Sequence, residues 1–317
     1  MLDLLAVARG VHFASTAAVA GVALFQCLIA EPAFRMARAD SPGLRAYRGK
    51  LRGHSLAGLA VAVVSGAAWL FALAMAIGHE GMLAVVSNGT VWVLLIKTQF
   101  GHVWMVRLLL GAFMLGVLWL QRRSGAASQR WEGFYAFLAT CLIGSLAWAG
   151  HAGATPDVEG DIHLAADILH LVAAGAWLGG LLPLWMLLRI AVKQPDQSFG
   201  LITQVATHRF STLGLVAVGT LLATGAVNTW ALAGRPSALL ETGYGRLLLL
   251  KIALFMAMVA IASVNRFRLS PRLPGKDSSR RLAGNVLAEI GLGLALIAVV
   301  SVLGTLPPAL HAGMRMH

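Results

Sequence analysis

His163, Asp167 and His170 are spaced i, i+4 and i+7. On an α-helix that spacing puts two imidazoles and a carboxylate on one face, where their side chains can converge. Neutral imidazole is a common metal ligand, and a nearby carboxylate can orient the ring through its other nitrogen. The residues that follow His170 are apolar as far as Leu188, so this face belongs to a helix of membrane length. Ionisable groups at that depth are costly enough that function is the default reading. The competing reading is structural, with Asp167 starting the helix and His170 packed and hydrogen-bonded.

Other residues of the same chemistry lie nearby or at matching depth. His151 sits in the polar stretch 150–163 that leads into this helix, and His12 lies two turns or so inside the first apolar run. The chain ends with His311, Met314, Met316 and His317. Thioether favours Cu(I) and imidazole suits copper in either state, so this tail has the composition of a copper-loading end. Arg107 and Lys251 are basic groups within apolar runs. Each is a candidate to neutralise Asp167 or to bind an anion, and an ion pair with either would make Asp167 structural. Glu289 enters from the opposite side, where it either pairs with an arginine or lines an inner path.

The elements that must position these groups follow from composition. Of 317 residues, 58% are hydrophobic and 12% are charged, and mean hydropathy is +0.76, values that indicate a polytopic membrane protein rather than a soluble domain. The net charge of +12 does not form a continuous basic face, so nucleic-acid binding is not expected. Cys27 and Cys141 lie in separate apolar runs and make no Cys-x-x-Cys pair, which argues against a disulfide framework or a thiolate metal motif.

Apolar runs near 4–30, 55–77, 102–120, 132–150, 162–188, 205–232, 246–265 and 283–306 each approach the ~20 residues needed to cross a hydrocarbon core. The first run lacks a basic leader and a cleavage site and is read as a membrane helix. The expected fold is therefore all-α with eight transmembrane helices. Basic residues gather in the odd-numbered connections, at 35–52, 122–130, 189–209 and 266–281, so the positive-inside rule predicts that both termini are periplasmic. His79, His102, His151, His163, His311 and His317 then lie on the outer side, with His54 and His208 cytoplasmic. Residues 81–101 contain Asn88, Gly89, Lys97 and Gln99 and read as an interfacial or re-entrant segment.

Internal similarity divides the chain into a first half, 1–150, and a second half, 151–317, ending in a short periplasmic tail. Aligning His12 with His170 sets Gly21 opposite Gly179, and Ser55 with Gly58 matches Ser211 with Gly214. Thr98-Gln99-Phe100-Gly101 precedes Arg107 as Thr242-Gly243-Tyr244-Gly245 precedes Lys251. Two four-helix halves of one orientation form a parallel repeat about an axis along the membrane normal. His12 would then be the counterpart of His170 in an intramembrane copper site, with His151 and His163 above it.

Gly150-His151-Ala152, Asp167-Ile168-Leu169-His170, Ala176-Trp177-Leu178-Gly179-Gly180, Arg209-Phe210-Ser211, Tyr244-Gly245-Arg246 with Lys251, and Asn265-Arg266 together resemble the copper resistance protein D (CopD) family. The similarity is strongest from about 145 onward. It implies an inner-membrane protein of copper homeostasis that works beside a periplasmic copper carrier of the CopC type. A copper permease, not an enzyme, taking Cu(I) or Cu(II) from a His/Met-rich periplasmic face within membrane lipid, is the expectation. The alternatives are a haem-binding redox protein using His12 and His170 as axial ligands, and a copper-binding sensor or assembly partner without transport. No cysteine haem-attachment motif or second bis-His pair is present, and no nucleotide-binding motif suggests an ATP-driven pump.

Overall fold

The computed structural model describes residues 2–37, 41–123, 129–149, 157–193, 197–233 and 238–306. Among them the chain is helical with no strand, and eight helices are long and apolar enough to span a membrane. They are α1 (Asp3–Met36), α2 (Pro42–Gly78), α3 (Gln99–Arg123), α4 (Arg130–Ala149), α5 (Gly160–Lys193), α6 (Phe199–Trp230), α7 (Gly243–Arg272) and α8 (Lys276–Leu303). Their ends carry local signals. Ser41 caps α2 by accepting from the Leu44 amide, followed by Pro42 in the first turn, and Thr242 caps α7 by accepting from the Gly245 amide. His79 ends α2 in the left-handed conformation, at φ 53°.

The segment after His79 folds as two short helices, Met82–Ser87 and Thr90–Lys97. Val85 and Leu94 pack under them against Leu70 and Ala74 of α2, while Leu83 and Trp92 point outward. An apolar exposed side above a packed one suits a segment lying at a membrane interface.

Helices α1 and α5 form the centre. α1 packs on α2, α4, α5 and α8, and α5 packs on α6, α8, α1 and α4. The crossing of the two central helices is set by glycine. A Cβ on Gly179 would lie 2.0 Å from the Ala17 carbonyl oxygen, and one on Gly21 would lie 2.1 Å from the Gly179 carbonyl carbon. Only small residues let backbones approach this closely. We expect Gly179→Val to force the central helices apart and to lose most folded protein, measured as the monodisperse fraction after detergent extraction. An unchanged fraction would show that the crossing is not needed.

Two π-helical turns interrupt this regularity, Gln26–Ala30 near the end of α1 and Asn265–Leu269 near the end of α7. Both lie towards the basic connections. Such turns free backbone groups and re-aim side chains, and they recur at functional sites.

Candidate functional site

The membrane-embedded polar groups gather in two places towards the face opposite the basic connections, one in each half. In the first half His12, 4% exposed, is fixed by its neighbours. Its Nδ1 is 2.9 Å from the Ala62 carbonyl, which can only accept, so Nδ1 carries the proton. Its Nε2 therefore accepts from Arg107, whose Nη2 lies 2.7 Å away. Arg107 also donates to the Leu142 carbonyl at 2.8 Å, Ser145 Oγ at 2.6 Å and Thr16 Oγ1 at 3.2 Å. One guanidinium thus ties α3 to α1 and α4. Both nitrogens of His12 are thus hydrogen-bonded within the protein.

The second half differs in one decisive atom. His170 Nδ1 lies 2.9 Å from Thr224 Oγ1, and that hydroxyl already donates its proton to the Thr220 carbonyl at 2.7 Å. Thr224 can then only accept, so His170 holds its proton on Nδ1 and keeps the lone pair on Nε2. No hydrogen bond to Nε2 is formed among the described residues. Gly225 faces the ring, and a Cβ there would make an ordinary contact 3.7 Å from His170 Cε1.

Asp167 stands one turn from His170 on the same helix face. Asn228 donates to its Oδ1 at 3.2 Å. Lys251 lies within electrostatic range of both Asp167 and His170, and Tyr244 within range of Asp167. No ion pair within 4 Å joins Asp167 to Lys251 among the described residues, so the carboxylate is neighboured by a cation without being locked to it. The Oδ1 atom of Asn228 is buried without a partner. One turn further out, His163 is 5% exposed and its Nδ1 is likewise buried and unpartnered. An unmet buried polar atom costs about 1–3 kcal/mol, a cost that a bound ion or water would relieve.

These positions separate the nine sequence candidates. His163, Asp167 and His170 share one face of α5, spread over roughly 10 Å of helix at 1.5 Å per residue. They form a row rather than one closed shell, and no group of three His, Cys, Asp or Glu side chains among the described residues encloses a metal position. His12 belongs to the separate cluster with Arg107. His151, His311, Met314, Met316 and His317 lie outside the described residues.

Sequence reasoning missed Thr224, which fixes the His170 tautomer, and the use of Arg107 on His12. It also missed Met258, fully buried on α7 seven residues from Lys251 and seven from Asn265. That heptad row was readable as a stripe on one helix face. On the reading that His170 ligates copper, Thr224→Val should leave the fold intact and weaken copper binding about 10–100-fold, the usual effect of removing a group that orients a ligating histidine. Unchanged affinity in a competition titration would separate Thr224 from the site.

Comparison with known proteins adds a family frame. Residues 1–164 match the family described as Copper resistance protein D-like, N-terminal domain, and residues 204–303 match Copper resistance protein D. Copper resistance protein D of Pseudomonas syringae pv. tomato is 34% identical over 185 residues, covering 56% of this chain and 59% of the relative. Inner membrane protein YebZ of Escherichia coli (strain K12) is 34% identical over 210 residues, covering 65% and 68%. Copper transport protein CutJ of Bacillus subtilis (strain 168) is 32% identical over 166 residues, covering 52% of this chain and 29% of the relative. The chain thus spans less than two thirds of the first of these relatives and under a third of CutJ. No solved structure matches the chain.

Proposed function

The chain belongs to the copper resistance protein D family, and from that premise we propose that it is an inner-membrane copper permease, with no catalytic activity of its own, whose copper path runs through the second half. The observation that carries this reading is the free Nε2 of His170, held in the ligating tautomer by Thr224 beside a carboxylate with no direct ion pair. Copper would pass from His163 at the outer end of α5 to Asp167 and His170. The fully buried thioether of Met258, on the neighbouring α7, is of the class that favours Cu(I) further along.

The first half is the matching frame. The balanced packing of α1 and α5, and the meeting of Gly21 with Gly179, support the parallel repeat of two four-helix units. In this frame His12 and Arg107 hold the first half closed, while the equivalent groups of the second half stay available. His151 and the tail residues His311, Met314, Met316 and His317 would receive copper from a periplasmic carrier of the CopC type.

The basic connections support an orientation with both termini periplasmic. Reporter fusions after residues near 45, 125, 195 and 275 should give cytoplasmic signals, and a cytoplasmic C-terminus would overturn the orientation. The permease reading is tested by Cu(I) uptake into proteoliposomes. Uptake above that of empty vesicles is expected. Saturable copper binding without uptake would favour a sensor or assembly role, and a stoichiometric haem spectrum without copper would favour the redox reading.

A further inference from the structure

A second polar site lies in the half of the membrane nearer the basic connections. Glu289 of α8 is 2% exposed, and its Oε1 accepts from Asn265 Nδ2 at 2.6 Å. Asn265 in turn accepts at Oδ1 from Asn285 Nδ2 at 2.7 Å. Asn265 opens the π-helical turn of α7, so the irregular backbone delivers this amide to the carboxyl group. Glu289 lines a cavity of about 130 Å³ together with Thr207, Ser211, Asn265, Arg266 and Trp177. Thr207 is 5% exposed and its Oγ1 has no hydrogen-bond partner within the protein, so an unpaired polar atom lines the cavity.

A buried carboxyl group without a cation cannot stay charged cheaply; it takes up a proton or a positive ion. The charged neighbours decide which. On α7, Arg266 lines the cavity and donates to Ser211 Oγ at 2.7 Å. No ion pair joins it to Glu289 among the described residues. On α6, His208 and Arg209 line a separate groove, and Arg209 donates to the Leu28 carbonyl. On α5 the cavity wall is Trp177, Leu181 and Leu184, with Arg189 beyond them stacked on Trp185. On α1, Arg9 bonds the Gly304 carbonyl at the far end of α8, and Glu31 pairs with Arg48 in the first half. The donor set around Glu289 is oxygen and amide throughout, which suits a hard acid and not Cu(I). The corresponding cavity of the first half is smaller, about 30 Å³, and is lined by Glu132 with Arg48 and Arg52, of which Arg48 pairs with Glu31.

We propose that the cavity around Glu289 is a proton-exchange site: Glu289 gives up a proton to the outer solution as copper moves inward through the second half and takes one back from the inner solution after the ion has left. The coupling rests on the permease reading, whereas proton binding at Glu289 does not. Charge balances over the cycle, since one Cu(I) moves inward for each proton that moves outward, without Cu(I) binding to Glu289. Copper moving into a vesicle is therefore accompanied by alkalinisation of the lumen.

The experiment uses the full chain in proteoliposomes loaded with a pH-sensitive dye and given a Cu(I) pulse, alongside infrared spectra of the same protein in H2O and D2O. Wild type is expected to alkalinise the lumen as copper enters and to show a protonated-carboxyl band that shifts in D2O. Glu289→Gln, which keeps the size and the Asn265 contact, should lose both signals while still binding copper; Glu289→Asp should retain the band. Copper uptake with no pH change, or with one that survives Glu289→Gln, overturns the coupling and leaves the permease reading standing. Absence of copper uptake by wild type counts against the permease reading instead. The infrared band then decides on Glu289 alone, and a band unaffected by Glu289→Gln overturns the site.

Discussion

Replacing His170 by alanine is expected to abolish copper uptake and to reduce copper affinity at least a hundredfold, with the fold preserved. The side chain contributes one hydrogen bond, to Thr224, worth about 1 kcal/mol of net stability. Its chemical contribution is far larger, because Nε2 is the imidazole lone pair left open at the membrane-embedded site. Losing an orienting partner of a ligand already weakens metal binding about 10–100-fold, so loss of the ligand itself sets a higher floor. Thermal unfolding in detergent should shift little, and Cu(I) competition titration should show the loss. His54→Ala, at the other end of the helices, should leave both unchanged.

Arg107→Ala is expected to do the reverse and destroy the fold. The guanidinium is 8% exposed and serves acceptors on α1 and α4 together. Its removal orphans His12 Nε2 and leaves the Leu142 carbonyl and Ser145 Oγ with only the bond between them. Hydrogen bonds to a charged group are worth about 1.5–3 kcal/mol each, so losing several removes a large fraction of the 5–15 kcal/mol that stabilises a typical domain. Little folded protein should be recovered, and any fraction that folds should still bind copper through His170. His12→Ala should follow the same pattern in weaker form. A well-folded Arg107→Ala protein that has lost copper would move the site to the first half.

These opposite expectations for His12 and His170 mark where sequence reasoning stops. Eight helices were legible because apolar runs of spanning length and their basic connections are long-range signals that single residues cannot disguise. The face shared by His163, Asp167 and His170 was legible because helical periodicity fixes it. The alignment of Gly21 with Gly179 set the two residues opposite each other as counterparts, and in the structure they touch. What spacing could not reveal is which lone pair each histidine has left. That depends on Ala62 and Arg107 in one half and on Thr224 and Thr220 in the other, all on different helices from the histidine they act on. The Glu289 site was half-legible: a carboxyl group within the last apolar run was visible, but its partner is an asparagine delivered by a π-helical turn, for which the sequence carries no periodic signature.

The most direct test of the central claim is the copper content of the full chain with alanine at His311, Met314, Met316 and His317, measured with and without His170→Ala. The tail substitutions remove competing imidazole and thioether ligands. With His170 present, about one Cu(I) per chain should remain, coordinated in part by imidazole nitrogen in the X-ray absorption spectrum, as expected for a histidine whose tautomer is fixed by an outer partner. Adding His170→Ala should remove that ion. Retention of the copper, with its imidazole scattering unchanged, would contradict the assignment of the copper path to the second half.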